Sequence, residues 1–296
     1  MARTDDDSWD ITESVGATAL GVAFARAQEA TASCPLFTDS YAQRFVDAAV
    51  ARGWQLPPSH MVERIRAISN YAASRTKWFD DFFITAGAHG IAQAVILAAG
   101  LDARAWRLPW GADSVVYEID QPKVLAFKAE TLIDDRPAAR YVPVPIDLRQ
   151  DWPTALRDAG FDPQEPTAWA AEGLLPYLPA EGQDLLFERI DELSAPGSRV
   201  GVESFGAGFF DPEYLASRRE QLREMREKAG ADDDAPDVAD LWFIEDRTDV
   251  ADWLMDHGWQ VSSVDAGKLM ERYGRPPTAT TEDTTPRTTF IEGLRS

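Results

Sequence analysis

Apolar positions in the first ninety residues recur at helical spacing, and after them they switch to short continuous runs. Residues 13 to 31 (ESVGATALGVAFARAQEAT) are alanine-rich, with apolar positions three and four apart. Residues 39 to 52 predict a second helix, with Asp39 as N-cap and Gly53 at its end. Residues 59 to 83 predict more helix, with Met61, Ile65 and Ile68 at helical spacing. No strand pattern precedes residue 90, so the first quarter of the chain reads as a helical layer.

The runs that follow are AVILA (94–98), VVYEI (115–119), YVPVP (141–145), TAWAA (167–171) and RVGVES (199–204). Continuous apolar runs of this length mark strands buried on both faces. The third is weakened by its prolines. Helical text at 122–134, 151–159 and 181–194 separates most of them. The alternation predicts an α/β fold with a mostly parallel sheet and helices on both faces. Residues 208 to 255 break the rhythm with a charged helical stretch (EYLASRREQLREMREKAG) and an acidic loop (ADDDAPD), an insertion or lid over the strand ends. Two late strands, WQVSSV (259–264) and RTTFIEG (287–293), flank a loop and are expected to pair as a hairpin at the sheet edge. The expected organisation is one domain over 1–296. It comprises a helical cap (1–83), a core sheet (84–207), a lid (208–255) and C-terminal edge strands (256–296).

Charge narrows the partners. Fifty acidic against 29 basic residues give a formal net charge of −21, with no Lys/Arg cluster. Nucleic acid and anionic membrane surfaces would be repelled. No apolar run reaches the ~18–20 residues of a membrane span. The start of the chain, Met1 to Trp9, lacks the basic and apolar segments of a secretory signal, so a cytoplasmic location is expected. One cysteine, Cys34, allows no internal disulfide. The three histidines, His60, His89 and His257, are far apart, and no zinc or calcium spacing is present. No metal is expected.

Chemistry concentrates at the strand ends. The first strand runs into the small-residue turn Ala98-Ala99-Gly100. Small residues let a ligand approach the backbone, and glycine permits unusual dihedrals. Taken alone, an ordinary strand-to-helix turn explains it equally well. The second strand ends in Asp120, twenty residues after Gly100. An acid there binds ribose hydroxyls in nucleoside-binding sheets, and Pro122 suits the first turn of the next helix, with Asp120 or Gln121 as cap. The third strand ends at Asp147-Leu148, where a carboxylate can accept from an adenine amino group and a leucine can cover the ring. The fourth ends at Glu172. A dinucleotide site would want Gly-x-Gly-x-x-Gly to seat a pyrophosphate. Two of its glycines are absent here, and Asp102 would repel a phosphate. S-adenosylmethionine has no phosphate and carries a sulfonium cation, which acidic surroundings tolerate.

Four segments together resemble the leucine carboxyl methyltransferase family. They are Arg75-Thr-Lys-Trp-Phe-Asp-Asp-Phe-Phe, Ile96-Leu-Ala-Ala-Gly-Leu-Asp-Ala-Arg-Ala-Trp-Arg-Leu, Tyr117-Glu-Ile-Asp-Gln-Pro and Glu172-Gly-Leu-Leu-Pro-Tyr-Leu. The opening Arg3-Thr-Asp-Asp-Asp-Ser-Trp-Asp-Ile is similar to the actinobacterial branch of that family, whose members are S-adenosylmethionine-dependent methyltransferases. The resemblance covers nearly the whole chain. It implies a class I, Rossmann-like methyltransferase fold with a seven-stranded sheet and a helical cap. It also implies that Arg75 pairs with the methionine carboxylate, that Ala98 and Gly100 lie in the turn under the methionine part, and that Asp120 holds the ribose. Asp147 and Leu148 would contact adenine, and Glu172 would lie near the amino end. The family's first turn is often Gly-Ala-Gly or Ala-Ser-Gly, and here it is Ala-Ala-Gly. Ala86-Gly-Ala-His-Gly-Ile is also unusual for the branch.

The expected reaction is O-methylation of a small molecule at a carboxylate. A carboxylate is ionised at neutral pH and needs no general base. Phenol or hydroxyl methylation is the alternative and would want a base. His89 is the nearest candidate, although a surface or capping role explains it better. Tyr177 could orient a substrate or simply pack. A non-catalytic S-adenosylmethionine-binding protein and, more weakly, a nicotinamide-dependent oxidoreductase are the rivals.

Overall fold

A computed structural model describes residues 14–56, 59–206, 241–277 and 286–296, with Phe209, Glu213, Tyr214, Ala216 and Glu220. Most of the charged text and acidic loop of the expected lid, the opening motif before residue 14 and most of the loop before the last strand lie outside the described residues. Three helices come first: α1 (Ser14–Ala30), α2 (Ala42–Ala51) and α3 (Ser59–Ala88). Asp39 tethers the start of α2, its Oδ1 accepting from the Tyr41 and Ala42 N–H groups at 3.0 Å each. Alternation then sets in. β1 (Gln93–Leu97), α4 (Arg104–Arg107), β2 (Val115–Asp120), α5 (Pro122–Thr131) and β3 (Arg140–Pro145) lead to α6 (Trp152–Asp158) and β4 (Thr167–Ala171). A 3-10 turn (Leu175–Tyr177), α7 (Ala180–Glu192) and β5 (Arg199–Ser204) follow. After the lid region come α8 (Val250–Asp256), β6 (Trp259–Asp265), α9 (Ala266–Arg272) and β7 (Thr289–Arg295).

The seven strands form one sheet in the order β3-β2-β1-β4-β5-β7-β6. The first five are mutually parallel. β7 is antiparallel to both its neighbours, β5 and β6. The expected edge hairpin is therefore half right. β6 and β7 do pair, but β7 inserts between β5 and β6, and α9 lies between them in the chain. α4 and α9, of four and seven residues, are too short for periodicity to reveal.

Side chains alternate across the sheet into two cores. Ala94 and Ile96 of β1 join Phe79, Phe82 and Phe83 of α3 on one face. Val95 and Leu97 join Trp152, Trp169 and Phe187 on the other. Burial on both faces is why the parallel strands read as continuous apolar runs. β5 meets α3 closely: a Cβ on Gly201 would lie 3.3 Å from the Phe82 ring. Gly201→Val should therefore destabilise by about 1–3 kcal/mol through overpacking. At about 2–4 °C per kcal/mol for a domain of this size, thermal unfolding should register a loss of several degrees. An unchanged midpoint would mean that α3 can shift off the sheet freely. Among the described residues, no helix is long and apolar enough to cross a membrane.

Candidate functional site

Strand order reverses direction between β1 and β4, because the chain moves outward to β2 and β3 and then returns. In open α/β sheets, ligands bind beyond the carboxyl ends of the strands at such a point. A cavity of about 250 Å³ opens there. Its walls contain all seven residues singled out from the sequence as cofactor contacts: Arg75, Ala98, Gly100, Asp120, Asp147, Leu148 and Glu172. Tyr177 also lines it. Helix α1 forms a further wall through Thr18, Ala19, Val22 and Arg26, which share one helical face. That contribution was not legible in the sequence.

The turn after β1 is shaped to bring backbone to the cavity. Ala98 and Gly100 both take the left-handed conformation, with φ of 49° and 51°. For an alanine this costs roughly 1–2 kcal/mol, a local strain of the kind held at ligand sites. At Gly100 a Cβ would come within 3.3 Å of the Ala19 Cβ on α1. Asp120 locks the turn. Its Oδ2 accepts from the Gly100 N–H at 2.6 Å and its Oδ1 from the Gln121 N–H at 2.6 Å. Burial pushes the Asp120 carboxyl up, and these two N–H groups offset only part of that. A carboxylate has about four acceptor positions, so two remain for a ligand. Asp120 thus holds the turn and forms part of the cavity wall, while Gln121 takes the N-cap position of α5.

At the far end Asp147 accepts from the Gln121 side chain and from Arg149, whose backbone N–H lies at 2.8 Å and Nη2 at 2.6 Å. Partial burial opposes ionisation of Asp147, but the Arg149 bonds outweigh it and hold the carboxyl below its usual range.

The near end is a buried charge chain. Arg75, from the middle of α3, sets its Nε 2.9 Å from Glu172 Oε1 and its Nη1 3.3 Å from Glu203 Oε2. Burial disfavours the Arg75 charge, yet Glu203 and Glu172 carry its pKa well above the ordinary arginine value. Glu172 also bonds Arg104 at 2.8 Å, and Arg104 pairs in turn with Asp102 and, at 2.7 Å, with Asp80. Burial works against the Asp102 charge, but Arg104 above all holds its carboxyl at about 2. Asp102 is therefore compensated, which removes most of the repulsion expected for a phosphate. The stronger objection to a dinucleotide is α4. It has only four residues and starts at Arg104, past the turn, so the element after β1 offers no long helix N-terminus to a pyrophosphate.

Glu203, Arg104 and Tyr71 were not singled out from the sequence. Glu203 had a usable signal: it is an acid at the end of a strand, like Asp120. Arg104 and Tyr71 had none, since each acquires its role from residues distant in sequence.

His89 is placed elsewhere. It is exposed just past α3, its Nδ1 2.8 Å from the Thr85 carbonyl. It precedes β1, so it sits at the amino edge of the sheet while the cavity lies at the carboxyl edge. Tyr177 lies in the 3-10 turn after β4, on the wall shared by this cavity and a second, smaller one.

The residues present fit S-adenosylmethionine. The carboxylates of Asp120 and Glu172, the Arg75 guanidinium and the strained small turn are spread along one cavity, a set of acceptors and donors suited to a ligand with hydroxyl, amino and carboxylate groups.

Residues 19–191 match the leucine carboxyl methyltransferase family. A relative from Mycobacteroides abscessus, named "putative S-adenosyl-L-methionine-dependent methyltransferase", is 54% identical, with 98% of each chain covered. One of the same name from Mycolicibacterium paratuberculosis is 50% identical over 100% of this chain and 98% of its own. Among solved structures, a DUF574-family protein from Streptomyces avermitilis aligns with a TM-score of 0.55 at 14% identity, covering 94% of this chain and 97% of that one. A Thermobifida fusca structure titled a putative methyltransferase gives 0.51 at 18% identity, with 94% of each covered. These likenesses carry the fold. The chain belongs to the leucine carboxyl methyltransferase family and is an S-adenosylmethionine-dependent methyltransferase with a class I fold.

Proposed function

We propose that this methyltransferase acts on an oxygen atom of a small molecule in the cytoplasm. The observation that carries the reading is the cavity at the strand-order reversal, with Arg75 and Glu172 at one end and Asp120 and Asp147 at the other. S-adenosylmethionine supplies a methyl group activated on a sulfonium. Arg75 would hold the carboxylate of its methionine part and Glu172 would take the ammonium, each offering the opposite charge. Asp120 accepts from the ribose hydroxyls. Asp147 accepts from the adenine amino group, with Leu148 against the ring. The Ala98–Gly100 turn keeps side chains out of the path of the reacting groups. Holding the reactants in line is the main catalytic contribution available to such a site.

The expectation of a carboxylate acceptor drew on the apparent lack of a general base. Glu203 with Tyr71 beside the cavity is such a group, so a hydroxyl acceptor becomes the better reading. The test uses labelled S-adenosylmethionine with a library of carboxylic acids and phenols, alongside calorimetry with S-adenosylhomocysteine and NAD. Labelled methyl on an ether or ester oxygen is the expected result. Transfer only to nitrogen or carbon, or tight NAD binding, would sink the reading.

A further inference from the structure

A second chamber of about 130 Å³ adjoins the first and shares Arg75, Gly173 and Tyr177 with it. Its remaining described wall is mostly aromatic, Tyr71, Phe205, Phe209 and Trp242, with Glu203 and two prolines among them. Phe209 stands 4.7 Å from Phe205 and 5.0 Å from Trp242, ring centre to ring centre. This wall is anchored to the core. The Phe243 N–H donates to the Pro176 carbonyl at 2.8 Å, and Arg247 donates to the Leu175 carbonyl at 2.9 Å. At about 130 Å³ the chamber is a little smaller than the ~150 Å³ apolar cavity that accommodates benzene, and since it adjoins the first cavity, one ring is the largest unit it takes.

We propose that this chamber binds the methyl acceptor, that the acceptor is an aromatic molecule with a free hydroxyl, and that Glu203 with Tyr71 takes its proton. The proposal rests on the cofactor reading of the first cavity.

The position fits. Gly173 separates the chambers, and it has φ of 63° with its N–H donating to Glu203 Oε2 at 2.7 Å. A Cβ there would lie 3.5 Å from Arg75 Nη1 and 3.7 Å from Glu203 Oε2. The charges fit as well. Arg75 already faces two carboxylates, Glu172 and Glu203. A carboxylate acceptor would add a third anion beside a guanidinium that also serves the cofactor. A hydroxyl brings no charge and needs a base, which Glu203 provides. Burial pushes the Glu203 carboxyl up despite Arg75 and Tyr71, making it a stronger base than an exposed glutamate. The Tyr71 hydroxyl donates to Glu203 Oε1 and lies 2.9 Å from Thr288 Oγ1, so it is held in place to relay a proton.

The step balances. The acceptor oxygen forms a bond to the methyl carbon, and the carbon–sulfur bond breaks with its electron pair returning to sulfur. The hydroxyl proton passes to Tyr71 as the Tyr71 proton passes to Glu203, leaving a neutral thioether, an aryl methyl ether and a protonated Glu203.

The test uses single-ring phenols graded in acidity, from 4-methylphenol to 4-nitrophenol, with benzoate as the carboxylate arm. Wild-type enzyme should methylate the phenols in preference to benzoate. Glu203→Gln should lower kcat/KM for 4-methylphenol by roughly 100-fold or more. Assayed at about pH 8.5, it should change 4-nitrophenol, by then largely ionised, by only a few-fold. Tyr71→Phe should give the same graded loss, which guards against misfolding of the first variant. S-adenosylhomocysteine affinity, measured by calorimetry, should change no more than a few-fold in either. Equal losses across the phenols, preference for benzoate, or no transfer to any phenol by enzyme that binds S-adenosylhomocysteine would overturn the proposal. Failure of the wild-type protein to bind S-adenosylhomocysteine would instead bring down the cofactor reading beneath it.

Discussion

Asp120→Ala should weaken S-adenosylhomocysteine binding by about 100-fold. In the proposed pose the carboxylate accepts from two ribose hydroxyls, and hydrogen bonds to a charged group contribute roughly 1.5–3 kcal/mol each. Losing about 3 kcal/mol corresponds to roughly two decades in Kd. The substitution also removes the anchor of the turn, because the Gly100 and Gln121 N–H groups both donate to Asp120. Both face a cavity that water can enter, so the effect on folding should be small beside that on binding. Calorimetric titration measures the affinity, and thermal unfolding checks that the fold survives. An unchanged affinity would mean that the ribose lies elsewhere.

Lys128→Met should be the most damaging single change to stability away from the cavity. Lys128 and Glu118 are both fully buried, 2.5 Å apart. Tyr141 adds a bond to the same Glu118 oxygen at 3.1 Å, while Oε1 has no hydrogen-bond partner. Burial, against the pull of Lys128, already pushes the Glu118 carboxyl up to about 7. Breaking a buried pair by removing one partner costs about 3–5 kcal/mol, whereas replacing both with apolar residues is often neutral. The unfolding midpoint should therefore fall by about 10 °C, and Glu118→Leu combined with Lys128→Met should recover most of the loss. The pH dependence has a definite sign. A carboxyl raised on folding contributes stability that is fully present below its unfolded pKa and is lost as pH rises through the folded one. The midpoint drop in Lys128→Met should thus be smaller at pH 5 than at pH 8. A drop under about 2 °C, or one independent of pH, would contradict the role given to the pair.

Much of the sheet was legible because of how it is buried. β1, β2, β4 and β5 are covered on both faces, so their text is mostly apolar, and strand ends could be placed to within a residue or so. The place of β7 was not legible. Its insertion depends on pairing Arg199 with Leu294 and Ser204 with Thr289, across 95 and 85 residues. The acids at Asp120, Asp147 and Glu172 could be found because each follows a readable strand. Glu203 follows one too and was passed over. His89 precedes β1 and so lies at the amino edge of the sheet, exposed, in line with the surface or capping role preferred for it.

By itself the sequence determined the alternation of elements, the small-residue turn at Ala98–Gly100 and the acids at successive strand ends. These are local patterns, set by which positions along one element face the core. Only the tertiary structure decided which charges are buried and matched. Arg104 meets Asp80 and Glu172, 24 and 68 residues away, and Arg75 meets Glu203 at 128. The cost of burying an ion depends on the partner that long-range packing brings to it, and no local pattern carries that information. The same packing decided that the ends of β1 to β5 share two adjoining chambers, one lined with charge and one with aromatic rings.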